Sequence, residues 1–152
     1  MTAPARPAFI ASVAYKDNRA ALTWLRDAFG FDVSEVLTDS KGNIVHAEMT
    51  HEDGVVMISN EFADWIASPT SLGGKNTQRM HVRISKGIDE HFAHARKAGA
   101  RIIMEPSDQF YGARSYVAVD PEGHYWTFSQ HVRDVSNQDM EKATGFKYVP
   151  FK

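Results

Sequence analysis

The chain has 152 residues, of which 43% are hydrophobic and 24% are charged, and its formal net charge at pH 7 is −2. This balance indicates a globular protein without the basic excess of a nucleic-acid-binding protein, and no apolar run is long enough to span a bilayer. Cysteine is absent, which excludes disulfides, thiolate metal ligands and a cysteine nucleophile. The first residues lack the apolar core of a signal peptide, so we predict a cytoplasmic protein.

The first part of the chain predicts a strand, a helix and three further strands. Asp17 or Asn18 can cap the helix, and apolar residues at three- and four-residue spacing give it one buried face. The predicted elements are a strand at 9–15, a helix that ends at Gly30, and strands at 31–38, 43–49 and 55–59.

A linker over 61–77, with a helical turn at 61–66, precedes a second series of the same kind. Asp120-Pro121-Glu122-Gly123 is typical of a tight turn and joins the last two strands as a hairpin. The predicted elements are a strand at 80–84, a helix at 88–98, strands at 101–105, 115–119 and 124–129, and a helical turn at 138–143.

The two series are separated by a constant offset. Gly99 lies 69 residues after Gly30, and Gly123 lies 69 residues after Gly54. We therefore predict an α+β fold of tandem βαβββ modules that form a cupped mixed sheet around a central cavity. One domain would cover 9–131, with modules at 9–60 and 78–131, and a surface tail would cover 132–152.

Several segments resemble one known superfamily. DAFGFDV, HAEMTHEDGVVMIS and YGARSYVAVDPEGHYWTF are similar to the vicinal oxygen chelate superfamily, which contains glyoxalase I, extradiol dioxygenases and bleomycin-binding proteins. The resemblance covers about 9–131 and is nearest to the small bacterial glyoxalase/bleomycin-resistance-like members. It implies helices on the convex side of the sheet, a ligand cavity on the concave side, and a homodimer.

The resemblance also allows the family's metal site to be tested on this sequence. In metal-dependent members the ion is held by His or Gln on the first strand of a module and by Glu on the last strand. The corresponding positions are Ile10 or Ser12 and Ile58 or Met57 in the first module, and His81 or Arg79 and Thr127 in the second. At most one normal ligand is retained, so we expect that the classical metal site is lost and that the protein uses no cofactor.

Strand parity, combined with the resemblance, predicts a polar and aromatic cavity. Ala47 and Met49 should pack on the helix, which places His46 and Glu48 on the concave face, and Trp126 should lie in the core. The candidate ligand-binding residues are His46, Glu48, His81, Arg83, Arg114, Tyr116, Tyr125 and Thr127.

Two sets of side chains have open alternatives. Arg114 either pairs with Glu48 or Asp120 or binds an anionic ligand group. His91 and His94 are three residues apart on a helix, which would suit a metal-binding pair, but they flank its apolar stripe and are expected to be exposed.

A non-classical metal site is a further alternative. His46, Glu48 and His81 would supply two imidazoles and a carboxylate, but in the fold that the chain resembles they are expected to stand too far apart.

Three functions are compatible with these residues. The first is metal-independent binding of a planar or amphipathic small molecule, as in drug or metabolite sequestration. The second is a lyase or isomerase that acts on a small oxygenated metabolite, with His81, His46 or Glu48 as general base and Arg114 or Tyr116 as oxyanion partner. The third is an interaction domain whose cavity is filled by its own side chains.

Overall fold

A computed structural model describes residues 6–152 of the chain. The first module consists of a strand, a helix and three strands, as predicted. Asp17 caps the helix by accepting a hydrogen bond from the backbone N–H of Ala20, and Gly30 ends it in the left-handed region with φ of 72°. The elements are β1 (Ala11–Tyr15), α1 (Asn18–Phe29), β2 (Asp32–Thr38), β3 (Ile44–His51) and β4 (Gly54–Asn60).

The second module repeats this order. Its elements are β5 (Met80–Arg83), α2 (Ile88–Lys97), β6 (Arg101–Asp108), β7 (Ala113–Val119) and β8 (Tyr125–His131). A tail helix, α3 (Asn137–Thr144), lies where a helical turn was predicted.

The linker differs from the prediction. Residues 61–66 are not helical, although the backbone N–H of Ile66 bonds the carbonyl of Ala63 in a turn. The helical turn lies instead at Pro69–Leu72, where a proline at the first position favours helix initiation.

Each module forms a four-stranded mixed sheet with the same strand order. The orders are β1-β4-β3-β2 and β5-β8-β7-β6, with the first strand parallel to its neighbour and the others antiparallel. The fold class is therefore confirmed, and the shared topology gives the offset of 69 residues a structural meaning. The two hairpin turns are not identical, however, because in the first module the positive φ of 50° belongs to Glu52 and not to Gly54.

Both modules contribute to a single core. Phe29, at the end of α1, lies 4.7 Å from Phe128 and 5.7 Å from Trp126 between ring centroids, and Phe31 lies 5.5 Å from Trp126. All four rings are almost completely buried, and Trp126 is a core residue as predicted. Each sheet has one face packed on the helices and an opposite face, here called the outer face.

The tail is attached to the second module through Gly112. The carbonyl of Gly112 accepts hydrogen bonds from the backbone N–H groups of Val132 and Arg133. A side chain at position 112 would approach the carbonyl oxygen of Arg133 to 2.1 Å, so only glycine allows this contact. No helix among residues 6–152 is long and apolar enough to cross a membrane.

Candidate ligand-binding site

The strand register shows which of the alternative metal positions lie beside each other. Ser12 on β1 is paired with Met57 on β4, and His81 on β5 is paired with Thr127 on β8. Ile58 is fully buried in the core, on the other face of β4. Among the alternatives left open by the sequence, Ser12, Met57, His81 and Thr127 thus form two directly paired sets.

This set does not fit a divalent ion. A hydroxyl, a thioether, an imidazole and a second hydroxyl include only one good ligand for the metals that carboxylate and imidazole sites hold. The loss of the classical site stays a prediction that rests on these residue types.

His81 is exposed on β5, and its imidazole is only partly desolvated by its neighbours. This desolvation, with a smaller contribution from the Arg79 charge, lowers the pKa of His81. The neutral imidazole can accept a proton or a hydrogen bond from a ligand.

A cavity of about 240 Å³ lies at the seam between the two modules, and we call it the seam groove. Its polar side includes His81 and Arg83, and Arg83 reaches Asp53 at 3.5 Å from the β3–β4 turn. Its apolar side includes Phe9, Phe31, Met49, Val56, Met80 and Trp126. An apolar surface with a few convergent polar groups is the usual form of a small-molecule site.

His51 is a polar residue of the seam groove that was not among the candidates predicted from the sequence. Its Nε2 atom is buried and has no hydrogen-bond partner among the described residues. A buried, unpaired imidazole nitrogen costs free energy, which a ligand donor or acceptor would recover. His51 packs 5.5 Å from Phe31 between ring centroids, so the ring is held in place.

A second cavity, of about 360 Å³, lies between β1 and the linker, and we call it the linker groove. It is lined in part by Ser12, Trp65 and Tyr125, with Lys75 and Arg79 as cationic groups. Two predicted residues, His81 and Arg83, thus line the seam groove and a third, Tyr125, lines the linker groove. Thr127, the partner of His81 across the strands, lines neither.

His46 and Glu48 form a separate group on the outer face of the first sheet. Both point away from the core residues Ala47 and Met49, as strand parity predicted. Glu48 is only 7% exposed and accepts a hydrogen bond of 2.7 Å from Nη2 of Arg6. This bond, with smaller contributions from the charges of Arg6 and His46, lowers the pKa of Glu48.

Two predicted residues do not face a cavity. Arg114 donates hydrogen bonds to Asp89 at 3.0 Å and to Asp108 at 3.1 Å, so neither Glu48 nor Asp120 is its partner. Tyr116 is completely buried in the core, where burial raises its pKa. The predicted cavity position of both was wrong, because the face of β7 that carries them packs on α2.

His91 also differs from the prediction. It is half-buried, and its two ring nitrogens lie 2.6 Å from the Tyr116 hydroxyl and 2.8 Å from the Phe29 carbonyl. His94 is exposed as predicted, and it contacts the carbonyl of Asp27 at 2.6 Å. Both histidines therefore join α2 to α1.

The comparisons with known proteins point to one family. A sequence profile described as the Glyoxalase/Bleomycin resistance protein/Dioxygenase superfamily matches residues 8–128. An uncharacterised protein of Mycobacterium tuberculosis is 28% identical over 141 residues, which are 90% of this chain and 82% of that protein.

Solved structures share the fold of this chain. The crystal structure of TioX from Micromonospora sp. ML1 superposes with a TM-score of 0.63 at 30% identity, over 81% of this chain and 97% of that one. A glyoxalase/bleomycin resistance protein from Streptomyces sp. CB03234 superposes with a TM-score of 0.62 at 17% identity, over 80% and 97% of the two chains.

Proposed function

The chain belongs to the glyoxalase/bleomycin resistance protein/dioxygenase superfamily, and from this premise we propose that it binds a small molecule in the seam groove without a metal at the family's ligand positions. The observation that carries the proposal is the paired set Ser12–Met57 and His81–Thr127. These residues lack the carboxylates that would hold an ion, while His81 remains beside a cavity of useful size.

The lining of the seam groove indicates the class of ligand. Phe31 and Trp126 supply aromatic surface, and His51, His81 and the Asp53–Arg83 pair supply polar groups. This combination suits a planar or amphipathic molecule that buries a ring and presents polar groups to the rim. Sequestration of a drug or metabolite in the cytoplasm is the biological role we propose.

We further propose that the protein is a homodimer. Large apolar side chains are exposed in the linker, where Phe62 is 60% and Trp65 is 74% exposed, and in the tail, where Phe146 is 75% exposed. Phe62 and Trp65 pack against each other, 5.3 Å apart between ring centroids, and an exposed apolar patch is typical of a protein interface. Light scattering after size exclusion at several concentrations should give a mass of two chains, and a constant mass of one chain would contradict the dimer.

The principal experiment is a thermal-shift screen with planar cationic antibiotics and small 2-oxo compounds, with and without EDTA. We expect a compound that raises Tm equally in both conditions, and we expect this shift to be lost in His81→Ala and Arg83→Ala. His131→Ala, which removes an exposed imidazole on β8 outside the groove, is the matched control. A shift that EDTA abolishes, or one that survives both groove substitutions, would contradict the proposal.

A lyase or isomerase is the second candidate function, and the lowered pKa of His81 favours it. A neutral imidazole can remove a proton from a C–H or hydroxyl group of a bound metabolite. For an enzyme, His81→Gln should lose turnover while ligand affinity is largely retained. For a binding protein, wild-type protein should return the ligand chemically unchanged after prolonged incubation, as mass spectrometry would detect.

A further inference from the structure

The outer face of the first sheet carries a group of potential metal ligands beside one of the family's metal positions, because Glu48 is paired with Met57 across β3 and β4. One ligand atom from each of Glu35, His46 and Glu48 lies within 4.8 Å of the other two. None of the three residues lines the seam groove or the linker groove.

The backbone holds these side chains in place. His46 and Glu48 are two residues apart on β3 and therefore share a face, and Glu35 on β2 is paired directly with Glu48. Register irregularities flank Glu35 on both sides, between Val33 and Glu35 and between Leu37 and Thr38. Such irregularities commonly redirect a side chain, and here Glu35 joins the other two ligands.

The electrostatics of the group favour a cation. Two carboxylates directly opposite each other on neighbouring strands repel. Arg6 bonds Glu48 at 2.7 Å, and this hydrogen bond, together with the charges of Glu48 and Glu35, raises the pKa of Arg6. In the described structure the Arg6 guanidinium therefore partly neutralises the two carboxylates, and it makes no hydrogen bond to the His46 imidazole.

A second observation comes from β4. Ser59 is paired with His46 across β3 and β4, so its side chain lies on the same face beside the imidazole. Ser59 is 6% exposed, and its Oγ atom is buried without a hydrogen-bond partner among the described residues. A water bound to a metal at this group would provide the partner that this hydroxyl lacks.

We propose that Glu35, His46 and Glu48 form a binding site for a divalent transition metal, and that Arg6 pairs with Glu48 when the metal is absent. Two carboxylates and one imidazole suit Zn²⁺ and related ions, and they leave coordination positions for water. Arg6 leaves Glu48 when the ion binds, because a guanidinium and a metal ion on the same carboxylate would repel each other.

Titration calorimetry with Zn²⁺ on chelator-treated protein tests this site. We expect one ion per chain, with affinity reduced at least about tenfold in His46→Ala and in Glu35→Gln. His131→Ala is the control, since His131 is an exposed imidazole with one carboxylate, Asp134, at 2.9 Å. Equal affinity in wild type, His46→Ala and Glu35→Gln, or no binding by wild type, would overturn the proposal.

Arg6→Ala tests the role of the arginine. We expect Zn²⁺ to bind this variant more tightly than wild type, because the competing ion pair is removed. Unchanged or weaker binding would overturn the exchange of Arg6 for metal.

Absorption of Co²⁺ in the visible range reports coordination directly, and the band should be lost in His46→Ala. Ligand binding in the seam groove should persist in His46→Ala, which separates this site from the proposed function.

Discussion

Asp120 shows how much one buried carboxylate can organise. One of its oxygens accepts hydrogen bonds from the backbone N–H groups of Glu122 and His124, both at 3.0 Å. The other accepts from the Tyr15 hydroxyl at 2.5 Å and from Nε1 of Trp126 at 3.0 Å. Asp120 is only 5% exposed. Because Tyr15 belongs to the first module, the side chain that shapes the hairpin turn also connects the two modules.

We predict that Asp120→Asn destabilises the protein by about 2–3 kcal/mol, since an amide NH₂ group would face the Trp126 N–H and leave a buried donor unpaired. Asp39→Asn is the matched control because Asp39 accepts similar turn hydrogen bonds from Lys41 and Asn43 but is exposed. Urea unfolding should show a clearly larger loss for the Asp120 variant. Equal losses would indicate that the contacts with Tyr15 and Trp126 contribute nothing.

The sequence predicted part of this residue-scale picture. The turn role of Asp120 follows from its position before Pro121, because turn chemistry is local. The contact with Tyr15 spans 105 residues and depends on how the modules dock, which no local pattern encodes. The same reason explains why Glu35 and His51 were missed: each acquires its neighbours only when strands or modules come together.

At the scale of elements, side chains of α2 cap the C-terminal end of α1. The last carbonyls of a helix lack partners within it. Here the Phe29 and Asp27 carbonyls accept hydrogen bonds from Nε2 of His91 and His94, respectively. Because a carbonyl can only accept, Nε2 of His91 carries the proton, and Nδ1 accepts from the Tyr116 hydroxyl.

We predict that His91→Ala lowers the free energy of unfolding by about 2–3 kcal/mol, because it leaves the buried Tyr116 hydroxyl unpaired and opens space beside Phe128, 4.6 Å away between ring centroids. His94→Ala, the exposed counterpart one turn along, should cost less than about 1 kcal/mol. Similar losses in thermal unfolding would show that the buried histidine has no special role.

The same histidine should make stability depend on pH. Burial, opposed by the Phe29 carbonyl, lowers the pKa of His91 below its unfolded value of about 6.5. The unfolded state then binds the proton more readily, so stability is fully present above the unfolded pKa and falls as the pH drops towards the folded pKa. The loss between pH 7 and 5 should be smaller in His91→Ala than in wild type, and an identical pH profile would contradict this assignment.

Most helices and strands could be predicted because the sequence patterns that specify them are local. Strand alternation, the apolar stripe of α1 and the stop at Gly30 gave the order and faces of most elements, and the repeat offset gave the topology. The partners of α2 were not predictable. Arg114, Tyr116 and His91 were misplaced because the sequence does not show that one face of β7 packs against α2 and that α2 packs against α1.

At the scale of the whole molecule, each module uses a hairpin turn to hold the start of the other module's helix segment. Glu122 in the β7–β8 turn accepts hydrogen bonds from the backbone N–H groups of Lys16 and Asp17 at 2.7 and 3.1 Å. Glu52 in the β3–β4 turn accepts one from the N–H of Ser85 at 2.8 Å, just before α2. These reciprocal contacts surround a shared core, so the modules should fold together.

Cutting the chain within the linker tests this interdependence. We predict that separate fragments 1–74 and 75–152 are each unfolded, because Phe29 and Phe31 of the first lose their contacts with Trp126 and Phe128 of the second. When mixed they should regain the far-UV circular dichroism and the buried tryptophan fluorescence of the intact chain, since both halves of the core are again present. Glu122→Gln in the second fragment should weaken this association by about 1 kcal/mol, because the charge that accepts the hydrogen bonds of Lys16 and Asp17 is removed from an exposed contact. A fragment that melts cooperatively by itself would show that one module can complete its own core, which the shared burial of the aromatic rings argues against.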